Sequence, residues 1–173
     1  IPFGNYPIID RTMKDARLKA CIHDYFFAKT ISLVRPGGVV AFITSRYTLD
    51  KKNKVFREWL AKRADLLVAV RLPDTAFLGN AGTQVVTDIL FLQKRHTIRE
   101  DGDLPCWVDT QEVELVHDGH VKNEEDQDGK VRHNLIYCEH PEWMVGQVGT
   151  KRGMYGAGEY TVRYDGDKPI ADL

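Results

Sequence analysis

Residues 73–84 separate two apolar segments, 66–72 and 85–93, and are too few to carry a helix back across a sheet. Both segments have the length and composition of strands, so they are expected to pair antiparallel, as a hairpin with a long Gly-containing loop. Upstream, Val39, Val40, Ala41, Phe42, Ile43 and Thr44 form a continuous apolar run, the pattern of a strand buried on both faces of a parallel sheet. Between this run and 66–72, Val55, Phe56, Trp59 and Leu60 recur at helical spacing, which makes residues 39–72 a β-α-β crossover, expected to be right-handed. A further helix is predicted over 16–34 from Leu18, Cys21, Ile22, Tyr25 and Phe26, with Asp15 at its start and Pro36-Gly37-Gly38 as its stop. The fold class is therefore α/β, with parallel strands and a final antiparallel strand.

The chain has 173 residues, of which 43% are hydrophobic and 28% charged, values that exclude collagen-like and wholly disordered classes. No apolar stretch approaches the length of a membrane span. Three cysteines without a CxxC pair argue against a disulfide framework and suit a reducing cytoplasm. A first residue that is Ile rather than Met points to a piece of a longer chain. Charge divides the sequence: residues 1–95 carry a net +8, and residues 96–173 a net −9. We read the first as one domain and the second as an acidic extension, partly β and partly irregular. Within the extension, strand-like patches fall at 106–108 and 113–116, a mobile tip is expected at 124–128, short structure is expected around Trp143, and the chain from Gly149 onward reads as irregular.

The opening Ile1-Pro2-Phe3-Gly4 resembles the (Asp/Asn)-Pro-Pro-(Tyr/Phe) motif of S-adenosylmethionine-dependent amino-methyltransferases without its leading residue. The segments Ile22 to Lys29, Val34 to Ser45, Arg71-Leu72-Pro73 and Thr87 to Leu92 resemble the later half of bacterial DNA adenine-N6 methylases, of the large helicase-associated type found on plasmids, phages and conjugative elements. The resemblance covers residues 1–95 and extends more loosely to His140-Pro141-Glu142 and Gly153 to Gly156. It implies the second half of a Rossmann-like methyltransferase sheet, with double-stranded DNA and the rest of the parent methylase as partners. An exocyclic adenine nitrogen is a poor nucleophile, and the family activates it through hydrogen bonds to a side-chain amide and a backbone carbonyl while an aromatic ring holds the flipped base. Carried onto this chain, the carbonyl belongs to Ile1 or Pro2 and the ring to Phe3, with Phe77 as a second stacking candidate. No Gly-rich loop that could hold S-adenosylmethionine follows a strand here, so by the resemblance the main cofactor site is expected upstream of the chain and the isolated chain is expected to be inactive.

Residues 46–63 carry a net +5 and follow the end of a predicted parallel strand, the edge where α/β sheets place ligands. Arg46, Lys51, Lys52 and Lys54 are the candidates for contacts to DNA phosphates. His117 and His120 with Cys138 and His140 match no structural-zinc spacing, so no metal is expected, and the adjacent His23-Asp24 reads as structural. Two other readings fit the same residues: a protein glutamine N5-methyltransferase, whose class uses a similar motif, and a non-catalytic remnant binding DNA or a partner.

Overall fold

The computed structural model describes residues 8–100, 102, 104–114, 130–153, 156–164 and 166. Ile1, Pro2 and Phe3, the expected tip at 124–128, His117 and His120 lie outside them.

A three-stranded sheet forms the centre, built from β1 (Val39–Ser45), β2 (Ala64–Leu72) and β3 (Thr87–Lys94) in the order β1-β3-β2. The reversed strand β3 lies between the other two and pairs antiparallel with both, Ser45 and Leu72 each opposite Thr87. β1 and β2 thus run in the same direction without touching, so the parallel neighbours expected from the β-α-β reading are not paired: β3 inserts between them. The antiparallel pairing required by the short 73–84 connection is present, and every hydrogen-bonded neighbour in this sheet is antiparallel.

The helices pack on one face. α1 (Ile22–Leu33) and α3 (Val55–Ala61) meet through Phe27, whose ring centroid is 4.7 Å from that of Phe42 on β1 and 5.9 Å from that of Phe56. Leu90 and Leu92 of β3, Ala69 of β2, Ile31 of α1 and Leu60 of α3 complete this core. The α1 stop is the turn at Gly37, whose φ of 74° needs a residue without Cβ, followed by Gly38, where a Cβ would press on Val34.

β1 differs from its expectation. Its side chains alternate, with Val40 and Thr44 buried and Val39 and Ile43 exposed by 54% and 40%. With Phe91 and the bulged Leu67, they leave a second, apolar face of the sheet partly open among the described residues. An apolar run specifies a strand with two apolar faces, while what covers each face is decided by tertiary packing.

The segment beyond residue 96 joins the same core. Trp107, Val108, Ile136 and Tyr137 are buried among the helices of the first region. Residues 106–108, predicted as strand-like, form a 3-10 turn after Pro105, and the strand follows as β4 (Thr110–Glu114), paired with β5 (Lys130–Asn134). After α5 (Ile136–Glu139) and a turn through Trp143, the chain expected to be irregular from Gly149 forms a hairpin of β6 (Gln147–Gly153) and β7 (Gly156–Arg163). Gly146, at φ 119°, permits its start, since a Cβ there would strike the Arg163 carbonyl.

Candidate functional site

The sheet end that holds Ser45, Leu72 and Thr87 is where the candidate residues gather. α2 (Tyr47–Asp50) leaves β1 directly, fastened by the Thr44 and Thr48 hydroxyls 2.7 Å apart. The loop after β2 is closed at its base: Val85 N donates to the Asp74 carbonyl at 3.1 Å, and Asp74 N to the Val162 carbonyl at 3.2 Å. Arg46 N donates to the carbonyl of Val86, the residue before β3, at 3.2 Å. These bonds fix the loop ends. Its outer part holds a single turn, α4 (Leu78–Ala81), ended by Gly82 in the left-handed region, with half-buried Phe77 at its N-cap.

Beneath this edge lies a fully buried ionic cluster. Arg71, on the core side of β2, forks onto Asp88 of β3, with Nε to Oδ1 at 2.7 Å and Nη2 to Oδ2 at 2.9 Å. Register makes this pair inevitable, since Arg71 and Asp88 are direct cross-strand partners. The same guanidinium reaches Asp50 of α2 at 2.9–3.0 Å and the Tyr160 hydroxyl of β7 at 3.0 Å, and lies 4.1 Å over the Tyr137 ring. Asp50 also accepts from the backbone of Asn134 at 3.1 Å, and the Asn134 side chain donates to the Leu49 and Trp107 carbonyls at 2.9 Å. Burial works against the Arg71 charge, but Asp50 and Asp88 outweigh it and hold the guanidinium protonated. Beside it, burial and the neighbouring Arg71 push His133 down to about 4, so the ring is neutral near pH 7.

The four expected phosphate-binding cations do not form one patch. Arg46 pairs with Asp50 at 3.2 Å, and its guanidinium is sandwiched 4.4 Å from the Tyr47 ring and 4.5 Å from that of Tyr160. Lys51 donates to buried Asp24 at 2.6 Å and lies over Phe56. Burial raises the Asp24 carboxyl while the charge and hydrogen bond of Lys51 pull it back. Lys54 bridges Asp109 at 2.9 Å and Glu58 at 3.6 Å. Lys52 is exposed.

The path toward the amino-terminal motif is anchored by Asp10, which accepts from the Tyr25 hydroxyl and from Lys29 Nζ, both at 2.9 Å. The Thr12 hydroxyl and backbone N–H also donate to it, at 2.6 and 2.7 Å, and these bonds, with those from Lys29 and Tyr25, hold its carboxyl well below the usual range.

S-adenosylmethionine is bound elsewhere by glycines that let backbone approach the ligand, and the described residues do not fit it. β1 is followed by Arg46-Tyr47 and β2 by Pro73-Asp74, and a Cβ at Gly79 or Gly82 would meet no atom within 4 Å. No group of three metal-ligating side chains occurs among the described residues, and His140 is stacked on Trp143 at 4.2 Å and bonded to Glu142 at 2.9 Å. No described helix is long and apolar enough to cross a membrane.

The ionic cluster was not foreseen from sequence. Its trace is the presence of Arg71 and Asp88 inside otherwise apolar strand runs, but neither Tyr160 nor Asn134 carries a local sign of joining it. Comparison with family models, with curated proteins and with solved structures gives no match.

Proposed function

We propose that this chain is the target-base half of the catalytic domain of a DNA adenine-N6 methyltransferase, acting within a parent protein whose preceding strands hold S-adenosylmethionine. The observation that carries the reading is the sheet order. A reversed strand lies between two co-directional ones, and the loop that joins β2 to it presents Phe77 at the same sheet end from which Arg46 and α2 emerge. The resemblance of residues 1–3, 22–29, 34–45, 71–73 and 87–92 to the later half of such methylases supports it.

In this reading an extruded adenine lies between Phe3 and Phe77, a backbone carbonyl at Ile1 or Pro2 accepts from its amino group, and Arg46 and Lys52 face the DNA backbone. Lys51 and Lys54 reach phosphates only by giving up Asp24 and Asp109. The cofactor, the cytoplasmic setting and the DNA partner belong to the same proposal.

The test is methyl transfer by the full parent protein to an adenine-containing duplex. Transfer should vanish when the target adenine is replaced by purine lacking the amino group. Transfer to a protein glutamine instead of DNA would favour the other enzymatic reading, and no transfer to either would leave the binding remnant.

A further inference from the structure

At the sheet end opposite to residues 73–86, the C-terminal end of α3 and the irregular segment leaving β3 enclose a groove far from the candidate base site. Two backbone bonds build its wall: Arg95 N donates to the Arg63 carbonyl and Arg99 N to the Lys62 carbonyl, each at 2.8 Å. Its two lobes, of about 830 and 250 Å³, share Trp59, Arg63 and Ile98.

The lining is cationic around an apolar floor. Arg17, Lys62, Arg63 and Arg99 line the larger lobe with Glu58 and Glu100, while Lys94 and Arg95 line the smaller one with no acid. Arg95 and Arg99 both rest on one carboxylate oxygen of Asp65, at 2.5 and 3.0 Å, so a single negative charge faces two guanidiniums. Arg63 stacks 4.4 Å above the Trp59 ring and donates to the Trp59 carbonyl at 3.1 Å. Next to it Ile98 is 61% exposed, an apolar side chain set among cations.

We propose that this groove binds single-stranded nucleic acid. Phosphates of the strand lie against Arg63, Arg95 and Lys62, and a base packs onto Ile98 and the Trp59–Arg63 stack. Cations alone would suit any polyanion. The apolar floor between them selects a strand whose bases are free to turn inward, because a duplex offers its phosphates outward and keeps its base faces stacked. The groove lies one strand length from the edge assigned to the extruded adenine, so it is not part of that site, and this proposal stands or falls without it.

The test is fluorescence anisotropy of a labelled twelve-residue oligothymidylate titrated with the 173-residue chain. Binding is expected to weaken with salt at a log–log slope of about −2, as three phosphate contacts on a single strand require. Ile98→Ser should lower affinity on the order of fivefold to tenfold, as the loss of part of an apolar side chain's contact area does. Arg63→Gln should lower affinity and make the slope shallower by about 0.7. Arg11→Gln, outside the groove lining, should change neither, and melting curves identify any variant whose loss reflects unfolding. Equal or tighter binding of a blocked-end duplex of the same length would overturn the proposal. So would unchanged affinity of folded Ile98→Ser and Arg63→Gln, or complete displacement by inorganic pyrophosphate at matched ionic strength, which would make the groove a site for small phosphates.

Discussion

Arg71 faces two buried carboxylates, Asp88 and the Asp50 that it shares with Arg46, so its loss leaves Asp88 buried without a cation. Removing one partner of a buried ion pair costs about 3–5 kcal/mol. Arg71→Leu should therefore lower the urea midpoint severely, and Arg71→Leu with Asp88→Leu should be less destabilised than the two single effects combined, because the second change removes a charge the first leaves orphaned. A double variant that loses the full sum would show that the pair is not coupled. His133 sets a pH limit at the same place. Its ring is depressed to about 4 in the folded chain against about 6.5 when unfolded, so the unfolded state takes up the proton first. Stability is fully present above about pH 6.5 and falls as pH drops toward 4, by about 3 kcal/mol at most. His133→Asn should flatten that limb in urea melts collected across pH 4–7.

At the scale of elements, β1, α3, β2, β3 and the body of α1 were legible because each writes its period or its apolar run into contiguous residues, but the helix expected from residue 16 starts only at Ile22, and Asp15 caps a separate 3-10 turn over Ala16–Lys19. The hairpin of β6 and β7 was not legible. Its pairing rests on Gly146 at a positive φ and on Val86, Tyr160 and Val162 packing together, contacts between residues far apart in sequence. Arg57 counts toward the charge of the basic segment 46–63, yet it is buried and donates to the Val108 carbonyl at 2.8 Å. Of the candidate residues, Phe77 lies in the connection between β2 and β3, at the N-cap of its single turn, whereas the ion pairs of Lys51 and Lys54 depend on tertiary partners that spacing does not reveal. The same loop carries a functional prediction. On the proposed methylase reading, Phe77→Ala in the parent protein should slow methyl transfer by a factor equivalent to about 1–3 kcal/mol of base stacking, and Phe77→Tyr should lose much less. A Phe77→Ala protein with normal transfer would remove that ring from the site. Phe3→Ala should behave alike, with a deficit that shrinks when the target adenine is mismatched and already easier to extrude.

For the whole molecule, the two charge regions of the sequence do not become two separate bodies, since Trp107, Val108 and Tyr137 complete the core begun by α1 and α3. Isothermal calorimetry of the 173-residue chain with S-adenosylmethionine should show at most weak binding and no methyl transfer, and micromolar affinity would mean that the cofactor site has been misplaced. The open side of the central sheet has a consequence for handling the protein. Val39, Ile43, Leu67 and Phe91 are partly exposed there, and the outer edge of β1 has seven residues without a single charge to repel another strand. In concentrated solution the chain should behave as an amphiphile, brightening a hydrophobic dye while fully folded and salting out early in ammonium sulfate, with one wetted side and one that water leaves readily.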